Sequence, residues 1–202
     1  AKSLDWPSFD FRGSKHLFTY GTWVLASHFC WTIATQADIF FAGSRLDPHD
    51  VGLYAEAIFL VTIITARFIP PLNDVAFPSF ARLQSDRETL ARAFLTAVRL
   101  IMLVVSPIYI GLSLTAPEAI LVVFGPKWTG MAPIVAGLAL VMPLMAVQII
   151  CSPTCTATGK ERIYLATSIA GAVIFATSFF IGVRFGAQGL VHAWWIAAPL
   201  LL

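Results

Sequence analysis

The feature that most constrains this sequence is an apolar run, Val51 to Phe77, that is long enough to cross a bilayer and yet contains charged residues. A membrane-spanning helix needs about 20 apolar residues, and a charge at its centre costs roughly 3 kcal/mol or more. The run carries Glu56, Arg67 and Asp74. At about 100° per residue these positions fall within about 20° of one another on a helix, so they predict one charged stripe that faces away from lipid.

The composition places the rest of the chain in a membrane as well. The 202 residues are 58% hydrophobic and 12% charged, with a mean hydropathy of +0.80, whereas soluble domains carry about 25% charged residues. The formal net charge is only +2 and no basic cluster with interleaved aromatics occurs, so we expect no nucleic-acid partner. Phosphate-binding, metalloprotease and serine-hydrolase motifs are missing from the sequence, so we expect no enzyme, no cofactor and no metal site.

Six apolar segments predict an all-α, polytopic membrane bundle of about six transmembrane helices. Residues 1–16 form a cytoplasmic or interfacial lead-in, and residues 78–93 form a cytoplasmic loop. Within that loop, residues 79–92 predict an amphipathic helix on the lipid headgroups, with a coupling or partner role as the alternative. The chain begins with Ala and its last apolar segment is too short to span, so we expect a fragment of a larger protein. The segments are Leu17–Ala42, Val51–Phe77, Phe94–Leu114, Met131–Cys151, Ile163–Val183 and Leu190–Leu202.

Basic residues alternate between the two sets of loops and predict the orientation. Eight basic residues lie in the N-terminal end and the loops that would share one side of the membrane, and three lie in the loops on the other side. Because Lys and Arg favour the cytoplasmic side, we expect the N-terminal end and the 78–93 loop in the cytoplasm. The eight are Lys2, Arg12, Lys15, Arg82, Arg87, Arg92, Lys160 and Arg162; the three are Arg45, Lys127 and Arg184.

Arg67 is the deepest charge of the second segment and the first candidate for substrate binding. Its guanidinium suits a phosphate or carboxylate, and a structural salt bridge to Asp74 or to a charge elsewhere is the alternative. Asn73 and Asp74 complete the candidate substrate-binding group. They follow the Pro70–Pro71 pair, which we expect to break the helix because proline lacks an N–H and clashes with the preceding turn.

Two carboxylates predict an ion-coupling site. Asp38 closes the first segment and Glu56 lies near the start of the second, so both fall near the same outer level. Paired acids in a medium of low dielectric hold a proton or a sodium ion readily, although Glu56 can also reach the interface. The nearby Asp47, His49 and Asp50 are interpreted as an ordinary hydrophilic turn.

Several short strings are informative when they are taken in order. They are Pro71–Asp86 (PLNDVAFPSFARLQSD), Asp38 with Val51-Gly-Leu-Tyr54, Phe124-Gly-Pro-Lys-Trp128, Ala157-Thr-Gly-Lys, and Gly186-Ala-Gln-Gly189. Together they resemble Wzx-type polysaccharide flippases, which carry similar elements where a membrane helix enters a cytoplasmic loop, at the outer loops and at an inner turn.

The resemblance implies one lobe of a two-lobe transporter that is similar to the multidrug/oligosaccharidyl-lipid/polysaccharide exporters. It implies a bacterial inner-membrane flippase for a lipid-linked oligosaccharide, carried on undecaprenyl diphosphate, in the synthesis of a surface polysaccharide such as lipopolysaccharide or exopolysaccharide. The implied partners are that substrate, membrane lipids, an N-terminal helical lobe of the same protein, and polysaccharide polymerase or export machinery. A MATE-like drug/cation antiporter is the first alternative, and a membrane enzyme such as a polysaccharide polymerase is the second.

Overall fold

The structure is a computed structural model that describes residues 15–83, 86–157 and 161–201. Within these ranges the side chains of residues 15–20, 68–69, 71–77, 79, 81, 149–157 and 161 lie outside the description. The described ranges contain seven successive α-helices, with 3₁₀ helices at Pro126–Met131 and Val183–Phe185. The helices are α1 (Lys15–Arg45), α2 (Pro48–Arg82), α3 (Arg87–Leu114), α4 (Ala116–Val123), α5 (Ala132–Ala157), α6 (Glu161–Gly182) and α7 (Gly186–Leu200).

The described residues contain no strand, which confirms the predicted all-α membrane bundle. Four stretches of the described chain are long and apolar enough to cross a membrane: Pro48–Arg67, Arg87–Leu114, Pro126–Gln148 and Arg162–Leu200. The last of these contains two predicted segments, and the predicted segment Leu17–Ala42 lies within α1, outside the four stretches. The chain therefore folds as a multi-pass membrane protein.

The second helix is longer than the sequence predicts. It continues through Pro70 and Pro71 to Arg82, so the expected break at the two prolines is wrong. Each proline removes one backbone hydrogen bond, but leaving the helix within an apolar run would expose more unpaired backbone groups to lipid. The helical register is therefore kept from residue 56 to residue 74.

The predicted cytoplasmic loop at residues 78–93 is mostly helical. Because α2 ends at Arg82 and α3 begins at Arg87, the connection is confined to residues 83–86, of which 84 and 85 lie outside the described residues. A separate amphipathic helix over residues 79–92 is therefore wrong. The apolar side chains assigned to it belong to two antiparallel helices, whose rings Phe80 and Phe94 pack with centroids 6.4 Å apart.

Helix α5 lies at the centre of the bundle. It packs against α2, α3 and α7, while α1 packs mainly against α6. Of an 18-residue apolar stretch within Pro126–Gln148, 61% is buried, compared with 17% of such a stretch within Arg87–Leu114. The exposed side chains of α3 are largely apolar, as expected of a helix that faces lipid.

The two ends of the bundle are distinct. The Trp128 end comprises the α1–α2 turn, α4 and the two 3₁₀ helices, and the Asp86 end comprises the α2–α3 turn and the starts of α1 and α6. Helix α6 has a cation–π contact near each end: the guanidinium carbon of Arg162 lies 5.8 Å from the Trp23 ring, and that of Arg184 lies 5.2 Å from the Phe180 ring. The two arginines are about 33 Å apart along the helix axis, which is close to the thickness of a bilayer core.

A glycine turn joins α6 to α7. Gly186 has φ of 78°, and a Cβ added to Gly189 would lie 2.0 Å from the carbonyl oxygen of Gly182. Only glycine tolerates both the positive φ and this backbone approach. The turn thereby fixes how α7 returns along α6, and with it the position of Trp194.

Candidate functional site

A buried hydrogen-bond network joins α1, α2 and α7 around Asp38. The Oδ2 atom of Asp38 accepts from the Tyr54 hydroxyl at 3.0 Å and from Trp194 Nε1 at 3.3 Å. Trp194 Nε1 also lies 3.1 Å from the Tyr54 oxygen, and Asp38 Oδ1 accepts from the backbone N–H of Ile39 at 2.7 Å. Asp38 and Tyr54 are fully buried and Trp194 is 4% exposed. We call these three side chains the Asp38 network.

Small residues and aromatic rings position the Asp38 network. Buried alanines in each of the three helices let their backbones come close, as is typical of helix packing in membranes. Phe175 and Phe179 of α6 pack on the Trp194 ring with centroids 5.1 and 5.3 Å away. The alanines are Ala34, Ala37, Ala42, Ala57, Ala193, Ala197 and Ala198.

Asp38 is a buried acid whose two carboxylate oxygens both accept hydrogen bonds. A carboxylate accepts hydrogen bonds only, and here both of its oxygens have donors. A bound cation would have to replace the Tyr54 and Trp194 donors, whereas a proton would convert the acid into a donor. Among the described residues, no three His, Cys, Asp or Glu side chains lie together as a metal site.

The structure places the predicted partner Glu56 away from the Asp38 network. Residues two apart on a helix differ by about 200°, so Glu56 and Tyr54 lie on different faces of α2. Glu56 is partly exposed, and the described residues offer it no hydrogen bond or ion pair. Asp38 and Glu56 thus share no hydrogen bond in this structure.

Arg67 lies on an exposed face of α2. No hydrogen bond or ion pair of its guanidinium is found in the part of the chain that the structure describes. Asn73 and Asp74 continue the same helix, but their side chains lie outside the described residues. Because α2 is continuous, positions 56, 67 and 74 keep their alignment within about 20°.

A second polar contact holds α2 to α3. The Tyr109 hydroxyl donates to the backbone oxygen of Val61 and shares a hydrogen bond with the Thr65 hydroxyl. Tyr109 is fully buried. The contact satisfies the polar group of a buried phenol and joins α2 to α3.

Sequence reasoning found Asp38 but missed its partners Tyr54 and Trp194. Tyr54 was visible only as part of a family string, and Trp194 is 156 residues from Asp38 along the chain. The available signal was chemical, because a buried Tyr or Trp in an apolar segment needs an acceptor and Asp38 was the acid nearest the same end. Hydrophobic periodicity cannot say which of several aromatic residues meets it.

A comparison with protein families decides the chain's affiliation. The family model described as polysaccharide biosynthesis protein matches residues 4–133, which is more than half of the chain. The chain belongs to this family. The predicted resemblance to Wzx-type flippases is thereby confirmed.

Three curated relatives carry related names. The chain is 28% identical over 92% of its length to a teichuronic acid biosynthesis protein, TuaB, of Bacillus subtilis. It is 27% identical over 61% to a succinoglycan biosynthesis transport protein, ExoT, of Rhizobium meliloti. It is also 25% identical over 63% to a lipopolysaccharide biosynthesis protein, WzxC, of Escherichia coli.

The chain spans only part of these relatives. It covers 38% of the Bacillus protein, 24% of the Rhizobium protein and 26% of the Escherichia protein. No solved structure gave a significant match. The family is therefore established by sequence, and the architecture of the described residues comes from the present structure.

Proposed function

We propose that this protein supplies part of a flippase that moves a lipid-linked oligosaccharide from the inner to the outer leaflet of the bacterial inner membrane. The undecaprenyl-diphosphate-linked precursor of a surface polysaccharide is the proposed substrate. The family match and the name of one relative, a succinoglycan biosynthesis transport protein, support the class of function. The observation that carries the proposal is Arg67 on the charged face of α2, which is exposed and has no hydrogen-bond or ion-pair partner among the described residues.

The physical need for such a residue is direct. Sugar hydroxyls and a diphosphate lose hydration in hydrocarbon, at a cost of several kcal/mol per unpaired group. Arg67 lies about 24 Å from Val51 along α2, which is too deep for easy snorkelling to the Trp128 end. A guanidinium at this depth without an internal partner is stable when it faces water or an anion. The oxygens of a diphosphate can accept hydrogen bonds from two of its N–H groups at once.

The charged face of α2 would line a cavity shared with an N-terminal helical lobe of the whole protein. Alternating access would then rock one lobe against the other around the bound head group, while the lipid tail stays outside. Asn73 and Asp74 would extend this lining towards the cytoplasm. We place the Asp86 end in the cytoplasm on the basis of the basic residues in its loops.

Ion coupling, if it operates through this chain, would use Asp38 or Glu56. Protonation of Asp38 would change the hydrogen bonds that join α1, α2 and α7, so the Asp38 network is the better placed of the two to couple a proton to helix movement. Substitution of Glu56 by Gln tests the other candidate. Loss of proton-dependent transport in Glu56→Gln, with Asp38→Asn unaffected, would reverse this preference.

A MATE-like drug/cation antiporter is the rival with an observation in its favour, because acids beside aromatic rings suit cationic drugs. The Asp38 network combines these groups, but its three side chains are sealed in the bundle rather than open to a cavity. Arg67, which is open, would repel a cation. We therefore prefer the flippase.

The proposal is tested with the full-length protein in a flippase-deficient bacterial strain, with the lipid-linked glycan assigned to each leaflet. Wild type should restore the outer-leaflet glycan, and Arg67→Ala should lower that restoration by roughly tenfold, as expected from the loss of a charge-assisted bond. Arg82→Ala, which removes an exposed arginine at the end of the same helix, serves as the control. Full restoration by Arg67→Ala at normal membrane abundance would contradict the role of Arg67.

A further inference from the structure

A cavity of about 180 Å³ opens at the Trp128 end, between the first turn of α2 and the 3₁₀ helix Pro126–Met131. It is separate from the Asp38 network. It lies at the start of α2, whereas Arg67 lies in the middle part of that helix. Its lining residues are Pro48, His49, Gly52, Leu53, Lys127 and Trp128. We call it the outer cavity.

The backbone around the outer cavity is fixed by two glycines. Gly125 has φ of 85° and reverses the chain after α4, and its carbonyl oxygen accepts from the Trp128 N–H at 3.1 Å. Gly130 lets the 3₁₀ helix come against α2, since a Cβ there would lie 2.9 Å from the Leu53 side chain. The cavity is thus built by the packing of two elements, and its base is the buried Leu53.

The lining of the outer cavity combines one cation, one imidazole and one large ring. Lys127 and His49 are exposed and Trp128 is half-buried, with its ring held edge-on to Phe124 at 6.4 Å. Asp47 and Asp50 flank His49 in the chain but are not among the lining residues. The polar groups that face the space therefore favour an anion, while the indole offers a flat apolar wall.

The position of the outer cavity suggests where its ligand comes from. The preceding helix α4 ends in three consecutive exposed apolar residues, Leu121, Val122 and Val123. Such a tip is stable when it dips into the acyl boundary of the bilayer. The adjacent cavity would then lie at the level of the lipid headgroups.

From these observations we infer that the outer cavity binds one anionic pyranose ring, namely a sugar that carries a phosphate or carboxylate. The apolar face of the ring would pack on Trp128, Lys127 would pair with the anionic group, and His49 would meet a hydroxyl or the anion. The volume of about 180 Å³ has room for one sugar ring. Resting on the proposed function, this makes the outer cavity a docking site for the head group as it leaves the flippase.

Gly52 offers a direct way to block the outer cavity. A Cβ added there meets no atom within 4 Å, so a larger side chain would enter the space without displacing the backbone. Gly43, near the end of α1, is equally unobstructed but does not line the cavity. Gly52→Leu and Gly43→Leu are therefore a matched pair with the same change in volume and helix propensity.

The experiment is calorimetric titration of the full-length protein in lipid nanodiscs with glucose 1-phosphate, glucose and inorganic phosphate. Glucose 1-phosphate should bind at least roughly tenfold more tightly than glucose or phosphate alone, because only it uses both the ring and the cation. Gly52→Leu should weaken that binding by roughly tenfold or more, with Gly43→Leu unchanged. Lys127→Gln should reduce glucose 1-phosphate to the affinity of glucose.

Equal affinity in wild type and Gly52→Leu, or equal affinity for phosphate and glucose 1-phosphate, would overturn the inference. The two proposals fail separately. A protein that binds glucose 1-phosphate at the outer cavity but moves no lipid-linked glycan supports the sugar site and contradicts only the flippase. A protein that moves the glycan but binds no sugar phosphate contradicts only the sugar site.

Discussion

Asp38 and Arg67 are both charged residues in long apolar helices, yet the structure accommodates them in opposite ways. Asp38 is fully buried and receives donors from α1, α2 and α7. Arg67 is exposed, and among the described residues it has no partner. The comparison teaches that a charge at membrane depth is stabilised either inside the chain or by what lies outside it. Stabilisation inside the chain, as at Asp38, joins helices. Stabilisation from outside, as we propose for Arg67, requires a surface that contacts water, an anion or another lobe.

The largest expected effect on stability is that of Asp38→Ala. The substitution leaves the Tyr54 hydroxyl and the Trp194 N–H without their carboxylate, and an unpaired buried group costs about 1–3 kcal/mol. We expect the free energy of unfolding in detergent or bicelles to fall by about 3 kcal/mol. Asp47→Ala, an exposed carboxylate near the start of α2, is the control. Equal stability of the two variants would mean that the Asp38 network does not hold the helices.

Gly189→Ala tests the same network from a distance. The added Cβ would lie 2.0 Å from the Gly182 oxygen, so α7 must shift and carry Trp194 with it. Overpacking of this kind costs typically 1–3 kcal/mol, and we expect about 2 kcal/mol in thermal or denaturant unfolding. Gly111→Ala, where a Cβ meets no atom within 4 Å, should be neutral or slightly stabilising. A neutral Gly189→Ala would show that α7 is free to move.

A double-mutant cycle between Tyr54→Phe and Trp194→Phe measures the coupling within the network. Tyr54→Phe removes only a hydroxyl and should cost about 1 kcal/mol. Trp194→Phe should cost about 2 kcal/mol, because the smaller ring also leaves a gap against Phe175 and Phe179. Because both groups share Asp38 Oδ2 and contact each other, the two losses should be non-additive by at least about 0.5 kcal/mol. Strict additivity would mean that the two residues act independently.

The smallest expected effect is at Asp86. It adds a third case to the comparison of Asp38 with Arg67, because this exposed acid is stabilised by the first backbone N–H groups of α3. Its carboxylate accepts from the side chain and backbone N–H of Thr89 and from the backbone N–H of Glu88, which lowers the pKa of Asp86 below its ordinary value of 3.8. The ionised cap therefore stabilises α3 above that ordinary pKa, and the stabilisation is lost as the pH falls through the lowered value.

Amide hydrogen exchange at Glu88 and Thr89, corrected for the intrinsic effect of pH, reports the Asp86 cap. Protection should fall as the pH drops below about 4 in wild type and stay flat in Asp86→Asn, which cannot titrate. A pH-independent wild type would contradict the capping role.

The sequence allowed the helices to be predicted better than the contacts between them. Apolar length and period placed long helices around residues 17–42, 51–77 and 163–183, because crossing a membrane requires about 20 such residues. Proline chemistry alone gave the wrong result at Pro70–Pro71, since the lack of water around an apolar run favours keeping the helix.

The candidate site was predicted only in part, for a related reason. Arg67 and Asp38 could be singled out because a charge in an apolar run is unusual whatever surrounds it. Their environments depend on tertiary packing, which places Trp194 beside Asp38 and leaves Arg67 open. Local pattern assigned His49 to a hydrophilic turn, and it meets Lys127 and Trp128 at the outer cavity only because the 3₁₀ helix Pro126–Met131 packs on α2.

The most direct test of the contrast between the buried Asp38 and the exposed Arg67 is the accessibility of position 67 to water. Arg67→Cys would be placed in a full-length protein without other cysteines and treated in membranes with a charged, membrane-impermeant thiol reagent. Such reagents need a thiolate, which forms in water and not in lipid or a packed core. Ala57→Cys, buried on the same helix, and Val173→Cys, on the exposed apolar face of α6, are the references.

We predict that Arg67→Cys reacts at least roughly tenfold faster than either reference, because it opens into a water-filled path rather than into lipid or the core. Labelling of Arg67→Cys as slow as that of Val173→Cys would place the residue against lipid or another packed surface. That result would contradict the claim that α2 carries a polar path across the membrane.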